Sequence, residues 1–219
     1  MKSSKIKLPL HLVKNIAPSG FGKIDLVKDG LNQLYIRKPN KTAEPVSHIY
    51  KISKVVEKFD KKDYYVKAVY KHSDNSYLLL EYLKDYDSLD KVLRKNEYIS
   101  ESIKKLWIEN ISLAIQILHD HNIVHRDIKP GNIMVRKDGC IKLIDFGSAC
   151  DEKTTASTPL VSTRKYLKSS IKLGKIYSIE EGKRIDKFAL SIVILRINCI
   201  PISPTEKKIQ DCLQFCLLK

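Results

Sequence analysis

Over the first eighty positions the apolar residues fall in short alternating runs, the period-two pattern of half-buried strands. Leu12-Val13 leads into Ile16-Ala17-Pro18-Ser19-Gly20-Phe21-Gly22-Lys23-Ile24. Ile24-Asp25-Leu26-Val27 then meets Lys28-Asp29-Gly30, a hairpin turn signal, and Leu34-Tyr35-Ile36-Arg37-Lys38 forms the next strand. From Pro45 to Phe59 the period changes to that of a helix, with Val46, Ile49 or Tyr50, Ser53, Val56 and Phe59 on one face. Tyr64 to Tyr70 and Tyr77 to Tyr82 predict a hairpin around Ser73-Asp74-Asn75-Ser76.

The second half is mostly helical in pattern. Ser100 is placed to cap a long helix running to about His121, with Ile103, Leu106/Trp107, Ile111, Ala114 and Ile117/Leu118 as its buried stripe. His119 and His121 sit where the negative end of that helix favours them. Ile133-Met134-Val135, a turn at Asp138-Gly139 and Ile141 to Ile144 predict a second hairpin. Phe188 to Ile200 is apolar except for Arg196, too short and too interrupted for a membrane span and suited to a buried helix. Strands first and helices after predict an α+β chain.

Composition narrows the function classes. The chain has 219 residues, 43% of them hydrophobic, which suits a packed core and argues against wholesale disorder. Forty Lys and Arg against twenty-five Asp and Glu give a net charge of +15, a field that attracts nucleotides, acidic protein segments or other anions. No aromatic-interleaved basic module or zinc-ligand spacing points to specific nucleic-acid recognition. The five cysteines (Cys140, Cys150, Cys199, Cys212, Cys216) are scattered and lack a CxxC pair, as free thiols in a reducing compartment would be. MKSSKIKLPLHL has no apolar run long enough for a signal peptide, so a soluble intracellular protein is expected.

The chemistry concentrates in His125 to Asn132, HRDIKPGN, and in Lys142-Leu143-Ile144-Asp145-Phe146-Gly147. The hairpin between them carries an acidic site at each end, so Asp127 and Asp145 can converge. Asn132 follows Asp127 by five residues and precedes Asp145 by thirteen. In this combination and spacing the chain resembles the protein kinases, whose signatures include H-R-D-L-x-x-x-N and D-F-G; Ile128 replaces the leucine.

That resemblance implies a two-lobed fold: a β-rich N-lobe over about 8–82 and a helical C-lobe over about 86–219, shortened after a central helix near 186–198. It implies ATP and Mg²⁺ as co-substrate and cofactor. Asp127 would orient or accept the proton of the substrate hydroxyl, and Lys129, the residue type of the Ser/Thr-directed branch, would offset charge on the transferring phosphoryl. Asn132 and Asp145 would be the metal ligands. His125 and Phe146 would pack rather than react.

On the nucleotide side, the glycine-rich loop pattern falls on Ala17, Ser19, Gly22 and Ile24, with Gly20 and Phe21 at its tip and Ile16 beside it; only Gly22 keeps its glycine. Lys38, sixteen residues after Gly22, takes the place of the phosphate-binding lysine, with Ile36 on the same strand face toward adenine; Arg37 competes from the opposite face. Glu57, nineteen after Lys38, is the candidate for its ion-pair partner, and Glu44 is its rival. Leu80 corresponds to the gatekeeper, the backbone of Glu81 and Leu83 to the adenine contacts, and Asp87 to the ribose contact.

Asp151 to Thr163 lies where an activation segment belongs, and Arg126 is of the type that clamps a phosphate there, making Thr154, Thr155, Ser157 and Thr158 candidate switch sites; a polar loop without a switch is the other reading. Thr163 would touch Asp127 and Lys129. Lys168-Ser169-Ser170 replaces the usual A-P-E, and Asp186 would begin the central helix and brace the catalytic loop. These departures resemble the compact kinases of large DNA viruses and leave room for a regulatory partner. The implied function is transfer of the ATP γ-phosphate to protein Ser or Thr, with acidic segments favoured by the eight Lys/Arg against two Glu between Lys153 and Arg184. The alternative is a pseudokinase that binds without turnover.

Overall fold

The computed structural model describes residues 6–19, 22–41, 45–95, 97–155 and 157–198. Gly20, Phe21, Glu44, Cys199, Ile200, Cys212 and Cys216, all singled out above, lie outside the described residues. The chain is α+β and divides into two compact units, Met1–Lys61 with Val66–Lys84 and Lys62–Tyr65 with Asp85–Lys219.

The first unit is an antiparallel sheet of β1 (His11–Ser19), β2 (Gly22–Lys28), β3 (Leu34–Pro39), β4 (Ala68–Lys71) and β5 (Tyr77–Glu81), in the order β1-β2-β3-β5-β4. The edge strand β1 is largely exposed and carries two irregularities in its pairing with β2, a common way to blunt an edge. Pleating separates two faces. Val27, Tyr35 and Leu79 form a core on one, with Ile6, Leu10, Tyr70 and Tyr77 packed against it. The other carries Ile36 opposite Leu80 and Lys38 opposite Leu78. Helix α1 (Val46–Glu57) follows Pro45, its first N–H bonded to Asn40 Oδ1 at 3.0 Å, and buries Val46, Ile49, Ile52, Ser53 and Val56. Ser53 ties it to β4 by accepting the Ala68 N–H at 3.1 Å. Tyr64 to Lys67 do not extend β4 as expected. Tyr64 and Tyr65 belong instead to the second unit, where Tyr64 O accepts the Leu143 N–H and Tyr65 Oη donates to Ala114 O.

In the second unit β6 (Asp87–Ser88), α2 (Leu89–Arg94) and α3 (Glu101–Asp120) precede β7 (Ile123–Val124). Ser100 caps α3 as expected, and Trp107, Ile111, Ala114, Ile115, Leu118 and His119 are its buried stripe; Leu106 is left 41% exposed, over Gly139. The β8 (Ile133–Val135) and β9 (Ile141–Leu143) hairpin joins β6 in a three-stranded sheet, and β10 (Cys150–Asp151) pairs with β7. Gly139, at φ 90°, makes the β8–β9 turn that an L side chain would strain, and a Cβ there would meet Leu106 at 2.9 Å.

A short helix α4 (Glu152–Thr155) and α5 (Ile179–Ile197) complete the unit. Helix α5 begins seven residues before Asp186, not at it, because Ser178 and Glu181 form a reciprocal capping box. Gly182 lets α5 approach β7 closely: a Cβ there would lie 3.0 Å from the Val124 methyl carbons. One turn on, that approach brings Asp186 under the turn at His125 and Arg126. Among the described residues no helix is long and apolar enough to cross a membrane, and Cys140 and Cys150 are free thiols.

Candidate active site

The loop between β7 and β8 is held by a buried carboxylate. Asp186, fully buried, accepts the His125 N–H at 2.8 Å and the Arg126 N–H at 2.7 Å, and His119 Nε2 lies 3.0 Å from it. Arg126 sits at φ 64°, a left-handed conformation that bulky residues adopt only when their surroundings compel it. Both N–H groups would be orphaned in the core without Asp186. His119 Nδ1 finds no partner among the described residues, so the ring proton belongs on Nε2, facing the carboxylate. The His119 contact was not legible in the sequence, where the ring looked like a helix-end residue; its partner is sixty-seven positions away.

Held this way, the loop gathers the polar residues singled out above. Asp127 Oδ2 accepts from Lys129 Nζ at 2.6 Å and from Asn132 Nδ2 at 3.0 Å. Its Oδ1 accepts the Thr163 N–H and hydroxyl, each at 2.9 Å, and Ser162 Oγ lies 3.5 Å away, a contact the sequence did not suggest. Lys129 Nζ also donates to Thr163 Oγ1 at 2.9 Å. Asp127, Lys129 and Thr163 therefore form a closed triangle, with a cation and a hydroxyl around one carboxylate.

The hairpin joins this loop to Asp145. Ile133 pairs with Leu143, and Ile144 N–H donates to Asn132 O at 3.0 Å. Asn132 and Asp145 are thereby fixed at the same end of β8–β9. Asn132 Nδ2 also donates to Asp127 O at 2.9 Å, which turns its carboxamide oxygen away from Asp127; that oxygen has no partner among the described residues. Asp145 is left-handed, at φ 67°, and accepts the Gly147 N–H at 3.3 Å. Phe146, 1% exposed, packs its ring 5.4 Å from His125 and 6.2 Å from Tyr65, and His125 Nε2 meets Ile144 O at 3.1 Å. One carboxylate and one amide oxygen at a hairpin end suit Mg²⁺, a hard cation that takes few protein ligands and keeps waters or phosphate oxygens for the rest. Asp87, in this same unit, is ion-paired with Lys91.

The other residues expected on the nucleotide side lie in the first unit. Lys38 is 5% exposed on the sheet face that Ile36 shares. Arg37 is engaged on the opposite face by Asp25 at 2.6 Å, so strand alternation separates the two cations as expected. Leu80 stands directly across from Ile36, both half-buried. The Glu81 N–H donates to Lys67 O at 3.0 Å and its Oε1 accepts the Lys67 N–H at 2.9 Å, whereas the Leu83 backbone has no partner among the described residues. Ile16 is 44% exposed, Ile24 is half-buried, and the backbone of Ala17, Ser19 and Gly22 lies in the β1–β2 hairpin.

Glu57 differs from the expectation. Its carboxylate is on the exposed side of α1, bound to Lys54 at 2.6 Å, and it does not meet Lys38. The buried stripe of α1 leaves Glu57 outside it, and Ser53 faces the sheet instead.

Arg126 differs as well. Its guanidinium, expected to await a phosphate, donates to the carbonyls of Ser148 at 2.7 Å, Thr158 at 2.9 Å and Pro159 at 3.2 Å, and the residue is 1% exposed. Burial pulls it below its ordinary pKa, against the influence of Cys150 and the Asp186 carboxylate.

Comparison with known proteins agrees with this geometry. Residues 37–216 match the protein kinase domain. The chain is 34% identical over 142 residues to the serine/threonine-protein kinase greatwall of Bos taurus, covering 62% of this chain and 16% of that protein. It is 36% identical over 134 residues to the cGMP-dependent protein kinase of Plasmodium berghei (61% and 15%) and 34% identical over 126 residues to the Aurora kinase of Yarrowia lipolytica (58% and 33%). The matched stretch spans a third or less of the length of these relatives.

Proposed function

The chain belongs to the protein kinase family, and from that premise we propose that it transfers the γ-phosphate of ATP to serine or threonine hydroxyls of protein substrates. The observation that carries this reading is the closed arrangement of Asp127, Lys129 and Thr163. A carboxylate so held can accept the hydrogen bond of an incoming hydroxyl and take its proton as the oxygen attacks phosphorus. Lys129, beside it, offsets negative charge on the transferring group. Lys38 would hold the α and β phosphates, with Ile36, Leu80 and the backbone of Glu81 and Leu83 receiving adenine, the β1–β2 hairpin from Ile16 to Ile24 covering the phosphates and Asp87 at the ribose. Asn132 Oδ1 and the Asp145 carboxylate would hold Mg²⁺, which when bound neutralises charge on the phosphates.

Acidic segments are the favoured substrates. Lys165, Lys168, Lys172 and Lys175 are exposed in the stretch that follows Thr163. The degenerate glycine loop and the missing A-P-E support kinship with the compact kinases of large DNA viruses, acting inside cells with a regulatory partner. One observation favours a second reading, a nucleotide-binding module without turnover: Glu57 is committed to Lys54.

The test is phosphorylation of an unbiased peptide library with Mg-ATP. Label on Ser and Thr, enriched beside Asp and Glu, is expected. Label on Tyr, or a basic preference, contradicts the substrate reading; ATP binding with no label on any peptide selects the second one.

A further inference from the structure

The segment from Ser148 to Leu167 is fastened through neutral groups at both ends. Upstream, all three nitrogens of Arg126 point at backbone carbonyls, those of Ser148, Thr158 and Pro159. The residue is almost completely buried, so a phosphate could reach it only by displacing those carbonyls. The hydroxyls that would carry such a phosphate are themselves turned inward or bound locally. Thr154 Oγ1 donates to Asp151 Oδ1 at 2.7 Å, Thr155 Oγ1 to Asp151 O at 2.7 Å from a position 3% exposed, and Thr158 Oγ1 to Thr154 O at 2.8 Å. Ser157 is exposed, with its hydroxyl 3.2 Å from Thr154 O.

Downstream, Tyr166 is 3% exposed and its hydroxyl receives Arg196 Nη1 at 2.6 Å; the same nitrogen lies 3.3 Å from Asp90 Oδ1. Arg196 is the one charge inside the apolar stretch of α5. It meets the segment three residues after Thr163, whose N–H and hydroxyl bind Asp127. Between the two arginines, Leu160 pairs with the 174–175 backbone in both directions, at 2.8 and 2.9 Å, and packs with Leu167 and Ile185.

We propose that Arg126 and Arg196 are positioning residues that hold this segment in its Thr163–Asp127 arrangement through carbonyl and phenol oxygens, so that the chain needs no phosphate on the segment to receive substrate. The inference deepens the proposed kinase reading and rests on it. The place a dianion would take beside Arg126 is filled by three carbonyls, and at the far end of the segment, just before Lys168-Ser169-Ser170, a tyrosine hydroxyl accepts from Arg196.

The test uses the full chain made phosphate-free with a phosphatase and verified by intact mass. Two readouts are taken: amide hydrogen exchange over residues 157–167, and initial rates on an acidic Ser/Thr peptide with Mg-ATP. Slow exchange at Leu160, Thr163 and Tyr166 is expected, with turnover that starts without a lag and rises less than twofold after the segment is phosphorylated. Tyr166→Phe, which keeps the ring and releases Arg196, should speed exchange over 163–167 and raise the peptide KM about fivefold, leaving the ATP KM unchanged. Rapid exchange in the phosphate-free protein, or turnover that appears only after phosphorylation, overturns the inference and leaves the kinase reading standing. A protected segment with no turnover in any form overturns the kinase reading, and the inference with it.

Discussion

The loop between β7 and β8 with its hairpin and the helix α1 with the strands beside it show opposite ways of holding a charged residue. In the first, Asp186 takes two backbone N–H groups and faces His119, and Asp127 takes five contacts from four residues. In the second, Glu57 has a single partner, Lys54, three positions earlier on an exposed face. A buried carboxylate such as Asp186, paired with two backbone N–H groups, is fixed by the fold, because any other arrangement leaves orphaned donors in the core. An exposed ion pair between long side chains is fixed by almost nothing. The Asp186 and Asp127 carboxylates are therefore fixed in the second unit, whereas Glu57, expected to aim Lys38, is bound instead to Lys54 in the first.

The largest effect should come from breaking the buried side. Asp186→Ala leaves the His125 and Arg126 N–H groups unpaired, with a loss of about 3–5 kcal/mol in denaturant unfolding. If the chain unfolds at the outset, Asp186→Asn, which keeps an acceptor, should fold and show a smaller loss. Asp127→Asn keeps the size of the side chain and removes the proton acceptor. Turnover should fall by about 10²–10⁴-fold, with the melting temperature changed by only a few degrees. Gly182→Ala sets overpacking of about 1–3 kcal/mol against Val124, offset by about 1 kcal/mol of helix propensity, for a net loss of up to about 2 kcal/mol.

A smaller effect belongs to the cap of α5. The Ser178 N–H and hydroxyl hold the Glu181 carboxyl below its ordinary value of 4.5. A depressed carboxyl contributes its stability above that ordinary value and loses it as pH falls through the lowered one. Acid titration of wild type and Glu181→Gln should accordingly differ above about pH 4.5 and draw together as the pH falls below it. Glu57→Ala should be smallest of all, within about 0.5 kcal/mol of wild type. A loss of 2 kcal/mol or more would mean the helix side is as tightly built as the loop side.

Much of this was legible in the sequence, and the exceptions have physical reasons. The β8–β9 hairpin and the Ser100-capped α3 follow from periodicity and a cap residue, and Asp127, Asn132 and Asp145 follow from spacing along one hairpin. Lys38 was separable from Arg37 by strand alternation. Glu57 was placed by spacing alone; it is the last residue of α1, on its exposed side, where Lys54 three positions earlier takes its carboxylate. The start of α5 was hidden because Ile179 to Arg184 is polar and contains Gly182, although Ser178 and Glu181 already spelled a capping box. The carbonyl partners of Arg126 left no trace, since a backbone acceptor has no residue-type signature.

Radiolabelled phosphate transfer from Mg-ATP to protein substrate, run side by side on wild type, Asp127→Asn and Lys38→Met, bears most directly on whether the loop-held carboxylate does chemistry. An active kinase predicts label from the wild type and a loss of about 10² or more in each variant, with all three folded. Equal label from the three proteins would contradict it.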